Sequence, residues 1–222
     1  MSINIEATEN GPYKLEGAAK LNTVKGEIDA PSTAFLCRCG ESGNKPFCDG
    51  THKKVGFSGE KEEDRVDDQL DEYKGEKITI HDNRGICAHA GYCTGGSPEV
   101  FGEKENGFAD PEAASKENIQ ETIHKCPSGA LNYMSEDGSS KDHSKTLSPS
   151  IFVAPNGPYV LKSVELINEK WLEGADQNRF ALCRCGKSKN KPFCSGAHWY
   201  HHFDESTERS EWAKTESSRV KE

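Results

Sequence analysis

The sequence predicts an α+β protein assembled from two or three small modules, and three observations support this fold class. At 222 residues, of which 33% are hydrophobic and 29% charged, the chain is long for one small domain, and each module has a modest core. Residues 10–57 recur at 156–203 without a gap, with identical residues at 21 of the 48 positions. Short strand patterns and short helical segments occur along the chain. The two ends are therefore copies of one module.

The nine cysteines are better explained by metal binding than by disulfides. The opening MSINIEATEN has neither a basic nor an apolar region, so we expect no secretory signal and no oxidising compartment. No run of about 18 apolar residues occurs, so we expect no membrane span and a cytoplasmic protein. The net charge of -9 argues against a nucleic-acid partner, which would need clustered Lys and Arg. An acidic surface suits a basic protein partner better.

The repeat and the local composition divide the chain into six segments. These are a first end module at 1–58, an acidic linker at 59–73, a central domain at 74–134, a second linker at 135–150, a second end module at 151–203 and a polar tail at 204–222. The acidic linker is either a solvated connection or a docking patch for a redox partner. We favour the solvated connection, because charge runs are usually hydrated.

Each end module carries the ligand spacing C-x-C-x8-C-x3-H. The two sets of candidate ligands are Cys37, Cys39, Cys48 and His52, and Cys183, Cys185, Cys194 and His198. Thiolate and imidazole bind either zinc or iron, so the residue types leave both metals open. Structural zinc sites usually pair two C-x2-4-C knuckles, whereas here a C-x-C pair and a C-x3-H pair lie close together in sequence. This spacing favours two metals bridged by sulfide, each held by one pair.

The first of these sites resembles the CDGSH, or NEET, family, whose pattern is C-x-C-x2-S/T-x3-P-x-C-D-G-S/A/T-H. Every specified position is matched, including Ser42, Pro46 and Thr51, and the second copy departs only at Ser195, where the pattern has Asp. The resemblance implies one 2Fe-2S cluster per copy, held by three Cys and one His. It also implies a small β-cap over each site and side-by-side pairing of the two modules, here an intrachain pseudo-dimer within a monomer.

Two further expectations follow from this resemblance. The apolar residues that alternate with polar ones in each copy are expected to form cap strands and to serve packing alone; they are Tyr13, Leu15, Tyr159 and Leu161. Because one imidazole replaces a thiolate, each cluster should have a potential between those of all-Cys and two-His clusters. Reduction should raise the basicity of the histidine, so we expect potentials that vary between about pH 5 and 8 and clusters that are labile in mild acid.

The central segment carries the other three cysteines. A strand at Ile78–Ile80 precedes Cys87-Ala-His89-Ala-Gly-Tyr-Cys93, Asp110-Pro111 opens a helical region that continues through 118–125, and Cys126-Pro-Ser-Gly-Ala-Leu closes the unit. These motifs resemble the divergent single-cluster ferredoxin domains. Three thiolates can hold a 3Fe-4S cluster, or a 4Fe-4S cluster completed by His89 or solvent, and we favour 4Fe-4S. Alternatively, His89 is only a hydrogen-bond donor beside the cluster.

Together these sites predict an electron-transfer protein with two 2Fe-2S clusters and one 4Fe-4S or 3Fe-4S cluster, served by a protein reductase or acceptor. The alternative is a module that stores clusters, delivers them to apo-proteins, or senses redox state. We expect no enzymatic activity, because the sequence has no Gly-rich nucleotide loop, no Ser/His/Asp arrangement and no open zinc site with a general base.

Overall fold

The computed structural model describes residues 3–17, 19–135, 147–171 and 173–206. Most of the predicted second linker and most of the predicted polar tail lie outside these residues. Within them the protein is mixed α+β, with several small sheets and few helices, which confirms the predicted fold class. No helix in the described part of the chain is long and apolar enough to cross a membrane.

The first end module is mostly strand. Its elements are β1 (Asn4–Ala7), β2 (Tyr13–Glu16), β3 (Ala19–Thr23), β4 (Gly26–Ala30), β5 (Thr33–Leu36) and α1 (Thr51–Lys54). In β2 buried Tyr13 and Leu15 alternate with half-buried Lys14 and Glu16, as expected of a strand with one face on the core. The cap strand predicted here is therefore present.

The central segment contains both strands and helices. Its elements are β6 (Asp71–Lys74), β7 (Ile78–Asp82), a 3-10 helix (Arg84–Ile86), α2 (Tyr92–Gly96), β8 (Phe101–Lys104), β9 (Gly107–Ala109), α3 (Lys116–His124) and β10 (Leu131–Ser135). The expectation that Asp110-Pro111 opens the helix was wrong. The α3 helix begins later because the Ser115 side chain accepts the Asn118 N–H and caps it, whereas Asp110 closes a local turn by accepting the Glu112 N–H.

The second end module repeats the first in shorter form. Its elements are β11 (Ser150–Val153), β12 (Tyr159–Lys162), β13 (Glu165–Ile167), β14 (Arg179–Leu182) and α4 (Ala197–Tyr200). The sheets mix strands of both end modules, in the orders β13-β1-β2-β5 and β14-β12-β11-β3-β4. The two inter-module pairings, β1 with β13 and β11 with β3, are both parallel. Each sheet is therefore completed by the other module.

The buried apolar side chains form one main cluster to which all three segments contribute. Tyr13 and Tyr159 meet edge to face in it, with ring centroids 6.0 Å apart, a favoured aromatic geometry. The central segment adds its own sheet, β10-β7-β6, and the β8-β9 hairpin. Because the core is shared, the ligand loops that leave these sheets are held in fixed positions relative to one another.

Candidate metal centres

In each end module the candidate ligands lie in two close pairs. The Sγ atoms of Cys37 and Cys39 are 3.9 Å apart, and Cys48 Sγ lies 3.3 Å from His52 Nδ1. The second module has the same arrangement, with 3.8 Å between the sulfurs of its C-x-C pair and 3.5 Å from Cys194 Sγ to His198 Nδ1. The structure thus brings together the residues that the sequence predicted as pairs.

These distances fit iron–sulfur ligation. Two thiolates on one tetrahedral metal at about 2.3 Å stand about 3.8 Å apart, and a thiolate and an imidazole nitrogen stand about 3.6 Å apart. Among the residues that the structure describes, no group of three or more His, Cys, Asp or Glu side chains converges on a single metal position. A structural zinc site needs four ligands at one point, whereas a 2Fe-2S cluster needs two pairs. The donor set therefore fits the cluster better than zinc.

The backbone of each ligand loop is fixed by short-range hydrogen bonds. Cys37 N–H donates to Pro46 O at 2.8 Å, and Cys48 N–H donates to Phe35 O at 2.7 Å. Gly50, with φ of 85°, then starts α1 in the left-handed region that favours glycine. This turn places His52 one helical turn after Cys48, and Gly50 N–H points to Cys48 Sγ at 3.4 Å.

Asp49 braces the turn in the first module. Its carboxylate accepts the N–H groups of Thr51 at 2.9 Å and Gly43 at 2.8 Å. Burial on its own raises the pKa of Asp49, but these hydrogen bonds outweigh it and hold the pKa at about 2. Ser195 stands at the same position of the second copy, where no carboxylate can play this part.

One thiol of each C-x-C pair has a lowered pKa. The hydrogen bond with Cys39 lowers the pKa of Cys37 to about 6, and the hydrogen bond with Cys185 does the same for Cys183. The pKa of the partner thiol is raised, because it supplies that hydrogen bond and is desolvated. Since thiolates are the metal-binding form, the hydrogen bond within each pair favours ionisation of one of its two thiols.

The two sites are tied together by a pair of tyrosines. Tyr13 Oη donates to Cys183 O at 2.8 Å and Pro192 O at 3.0 Å, and Tyr159 Oη donates reciprocally to Cys37 O and Pro46 O. The expectation that these residues serve packing alone was wrong, because each hydroxyl binds the opposite ligand loop. Both tyrosines end an N-G-P-Y segment that is repeated in the two copies, and this repetition could have indicated a shared role.

The arginine between the first two cysteines of each copy was missed by sequence reasoning. Arg184 is buried, donates to Gly157 O and Ala154 O, and pairs with Glu205 at 2.7 Å. Arg38 reaches Thr8 O and Gly59 O in the same way. Both residues fasten the C-x-C turn to the rest of its module, and the repeated C-R-C triplet could have indicated this role.

The two copies differ in how far they are covered. Cys48 and His52 are half-buried, whereas Cys194 is 2% and His198 5% exposed. The ligand pair Cys48 and His52 is therefore more accessible to solvent than its counterpart Cys194 and His198. Burial, together with the positive charge of Arg184 and the proximity of His89, lowers the pKa of His198 to about 4.

The three central cysteines line one cavity. It has a volume of about 420 Å³, and its walls include Cys87, Cys93 and Cys126 as well as His89 and Arg84. Burial raises the pKa of Cys87 to about 11, and the nearby Arg84 charge opposes that rise. Three soft thiol ligands around one space of this kind fit an iron–sulfur cluster.

His89 stands at the edge of this cavity. Its φ of 53° is unusual for a residue other than glycine, and its backbone N–H points to Cys87 Sγ at 3.4 Å. The imidazole ring lies beside Gly196 of the second end module and edge-on to Tyr200, with centroids 6.4 Å apart. His89 therefore contacts both the central ligand loop and the second site.

Arg84 is a further residue that sequence reasoning missed. Its Nε lies 2.8 Å from Asp82 Oδ2, and its guanidinium carbon stands 3.9 Å from the centre of the Phe108 ring. Ion pairing and stacking hold a positive charge at the cavity wall. No motif contains Arg84, so only its position three residues before Cys87 hinted at the role.

Comparison with known proteins agrees with this arrangement. A family model described as iron-binding zinc finger CDGSH type matches residues 10–53 and 156–199, and one described as divergent 4Fe-4S mono-cluster matches residues 73–136. The uncharacterized protein YjdI of Escherichia coli K12 and that of Escherichia coli O157:H7 are each 38% identical to the chain over 61 residues. That region is 28% of this chain and 80% of each relative.

Proposed function

Because the chain belongs to the CDGSH iron–sulfur family, with a divergent 4Fe-4S mono-cluster domain between its two CDGSH segments, we propose that it is an electron-transfer protein. Two 2Fe-2S clusters, each held by three Cys and one His, and one central cluster supply one-electron chemistry when bound. The observation that carries the proposal is that three ligand sets sit in loops anchored on one shared core. We propose that the end modules act as an intrachain pseudo-dimer.

For the central site we propose a 4Fe-4S cluster, with 3Fe-4S as the alternative. Cys87, Cys93 and Cys126 would hold it. The ring of His89 lies beside Gly196, so solvent is as good a candidate as His89 for a fourth ligand. EPR spectroscopy of the oxidised, anaerobically purified protein separates the two, because oxidised 3Fe-4S is paramagnetic and oxidised 4Fe-4S is silent.

A second candidate function is supported by one observation. The half-buried Cys48 and His52 leave one edge of the first site open to solvent, which suits delivery of a cluster to an apo-protein. Stopped-flow reduction by a flavoprotein reductase, compared with transfer of iron and sulfide to an apo-ferredoxin, decides between them. Electron transfer is supported if reduction is the faster process at matched concentrations, and cluster delivery if transfer is.

The proposal also covers partners, activity and location. All nine cysteines are free of disulfides, which suits a reducing compartment such as the cytoplasm. We propose a protein reductase or acceptor as partner, no nucleic acid or membrane partner, no enzymatic activity of its own, and a monomeric state. Iron and sulfide analysis of freshly purified protein should give about eight irons per chain, following the ligand sets.

Acid should release the first 2Fe-2S cluster before the second. Burial keeps the pKa of His198 near 4, below its ordinary value, so the stability that its neutral form contributes is complete above about pH 6.5 and is lost as pH falls through 4. His52 is only half-buried. We expect visible absorbance to decay in two steps as pH is lowered, the first from the less covered site and the second as pH falls through about 4. A single decay step in the wild-type protein would contradict this order, if His52→Cys and His198→Cys also shift the midpoint pH of that step equally.

Arg84→Gln should lower the reduction potential of the central cluster. A positive charge at the cavity wall favours the added electron, and at an effective dielectric constant of about 20 and a separation of about 10 Å its loss lowers the potential by about 70 mV. Arg84→Lys keeps the charge and is the matched control. Spectroelectrochemical titration at pH 8 measures both variants, and equal potentials for them and wild type would contradict the electrostatic role.

A further inference from the structure

The central ligand loop is packed against the second CDGSH site. Ala88, which lies between Cys87 and His89, shares a small buried cluster with Cys194 and Ala181. At Gly196 an added Cβ would lie 2.8 Å from both Cγ and Cδ2 of His89. These contacts join a residue next to a central ligand to a ligand of the second site.

The equivalent face of the first site is open. Gly50 corresponds to Gly196 in the repeat and has nearly the same φ, 85° against 76°, yet an added Cβ there would meet no atom of the described residues within 4 Å. Asn190 donates to Asp68 Oδ1 and Gly85 O, both at 2.8 Å, whereas its counterpart Asn44 is exposed. The central segment therefore covers the second site, while no residue in the described part of the chain covers this face of the first site.

The two CDGSH sites approach each other through their C-x-C turns. An added Cβ at Gly40 would lie 2.6 Å from Cys185 O, and one at Gly186 would collide with Cys39 O. The second site thus contacts both of the others: it meets the central loop at Cys194 and Gly196, and it meets the first site through its C-x-C turn.

We infer that the central site and the second CDGSH site are the pair coupled for electron exchange, and that the first CDGSH site, with His52 at its open edge, is the one that meets an outside partner. The packing of Ala88 and His89 on Cys194 and Gly196 carries the inference, because electron exchange weakens steeply with distance. It rests on the proposed electron-transfer function and adds an order to the three sites.

EPR power saturation of the fully reduced protein tests this order without an activity assay. A reduced central cluster of either nuclearity is paramagnetic and speeds the spin relaxation of its nearer neighbour. His52→Cys and His198→Cys each change the g values of one 2Fe-2S signal and so assign the two signals. We expect the second signal to need several-fold more microwave power for half-saturation than the first. Equal powers for the two would overturn the inference.

Gly196→Ala and Gly50→Ala form a matched pair for the contact itself. Both place alanine at positive φ, but only the first pushes His89 away from the second site. We expect Gly196→Ala to bring the saturation of the second signal toward that of the first. Gly50→Ala imposes the same backbone strain in the first ligand loop without contacting His89, so Gly50→Ala protein that retains its iron should keep the second signal harder to saturate than the first. An unchanged difference in Gly196→Ala protein that retains its iron would overturn the role of the contact.

Two safeguards keep the outcomes separate. If Gly196→Ala protein loses a cluster, the comparison of the two signals in the wild-type protein still tests the order of the three sites. Stopped-flow reduction of the same wild-type preparation by a flavoprotein reductase tests the proposed function alone. Rapid reduction with equal saturation of the two signals would leave electron transfer standing and remove only the order.

Discussion

Gly40→Ala should abolish cluster binding at both ends of the chain. The φ of Gly40 is 82°, and its added Cβ would lie 2.6 Å from Cys185 O and 2.9 Å from Cys185 C. These are backbone atoms next to a ligand of the opposite repeat, so no side-chain rotation relieves the clash. Left-handed strain costs about 1–2 kcal/mol, and the forced separation of the two turns takes the total beyond about 4 kcal/mol.

Gly50→Ala is the control for Gly40→Ala, because it has almost the same φ of 85° but open space around the added Cβ. We expect Gly50→Ala to lose only about 1–2 kcal/mol of unfolding free energy and to keep its iron. Iron and sulfide content, visible circular dichroism and thermal unfolding measure both variants. If Gly40→Ala protein keeps its full iron content and unfolds at the same midpoint temperature as Gly50→Ala protein, the close approach of the two turns is not needed for cluster binding.

The ligand pairs could be predicted from the sequence because they are local. A C-x-C turn and a C-x3-H turn set the distances between their own donors, whatever the rest of the chain does. The matching arrangement of ligands in the two copies could be predicted from the repeat. The pairing of the strands could not be predicted, because β1 and β13 are short strands whose alternation specifies a buried face but no particular neighbour.

The unequal covering of the two CDGSH sites could not be predicted in the same way. The sequence directed attention to Ser195, within the motif, whereas the larger difference lies in what the central segment contacts. Asn44 and Asn190 are the same residue type at the same repeat position, yet only Asn190 is buried in a module contact. Residue identity does not record which of two similar surfaces is covered, because docking depends on the tertiary arrangement of distant elements.

The expectation of small separate cores illustrates the same limit. Composition gives the amount of apolar side chain but not how the modules share it. In the structure the apolar residues of all three segments join one main cluster, since strands of each end module complete the other's sheet and the central segment packs on the second module. The modules therefore share one core instead of each burying its own.

Arg179→Gln should detach the central segment from the second end module. Arg179 is 5% exposed and its Nη1 donates to Ile123 O at 3.2 Å and His124 O at 3.0 Å. These are carbonyls at the C-terminal end of α3, and Ile123 O also accepts the Cys126 N–H at 2.9 Å. Cys126 follows two residues after His124, so the same contact positions a central ligand.

The expected loss for Arg179→Gln is about 3–5 kcal/mol of unfolding free energy. The reason is that the substitution removes both hydrogen bonds to α3 and one partner of the buried ion pair in which Arg179 Nε lies 3.4 Å from Asp176 Oδ2. Iron content should fall from about eight to about four per chain, as the central cluster is lost while the first CDGSH cluster and its partner across the C-x-C turns remain. Urea unfolding and metal analysis of the same preparation give both numbers.

Two controls separate docking from general damage to β14. Thr33, exposed, holds the corresponding position in the first repeat, so Thr33→Ala should change the unfolding free energy by no more than about 0.5 kcal/mol. The double variant Asp176→Asn/Arg179→Gln removes both charges of this buried pair, and it should be more stable than Arg179→Gln while still losing the central cluster. If Arg179→Gln protein keeps its central cluster, or is no less stable than Thr33→Ala protein, then Arg179 does not hold the central segment on the second site.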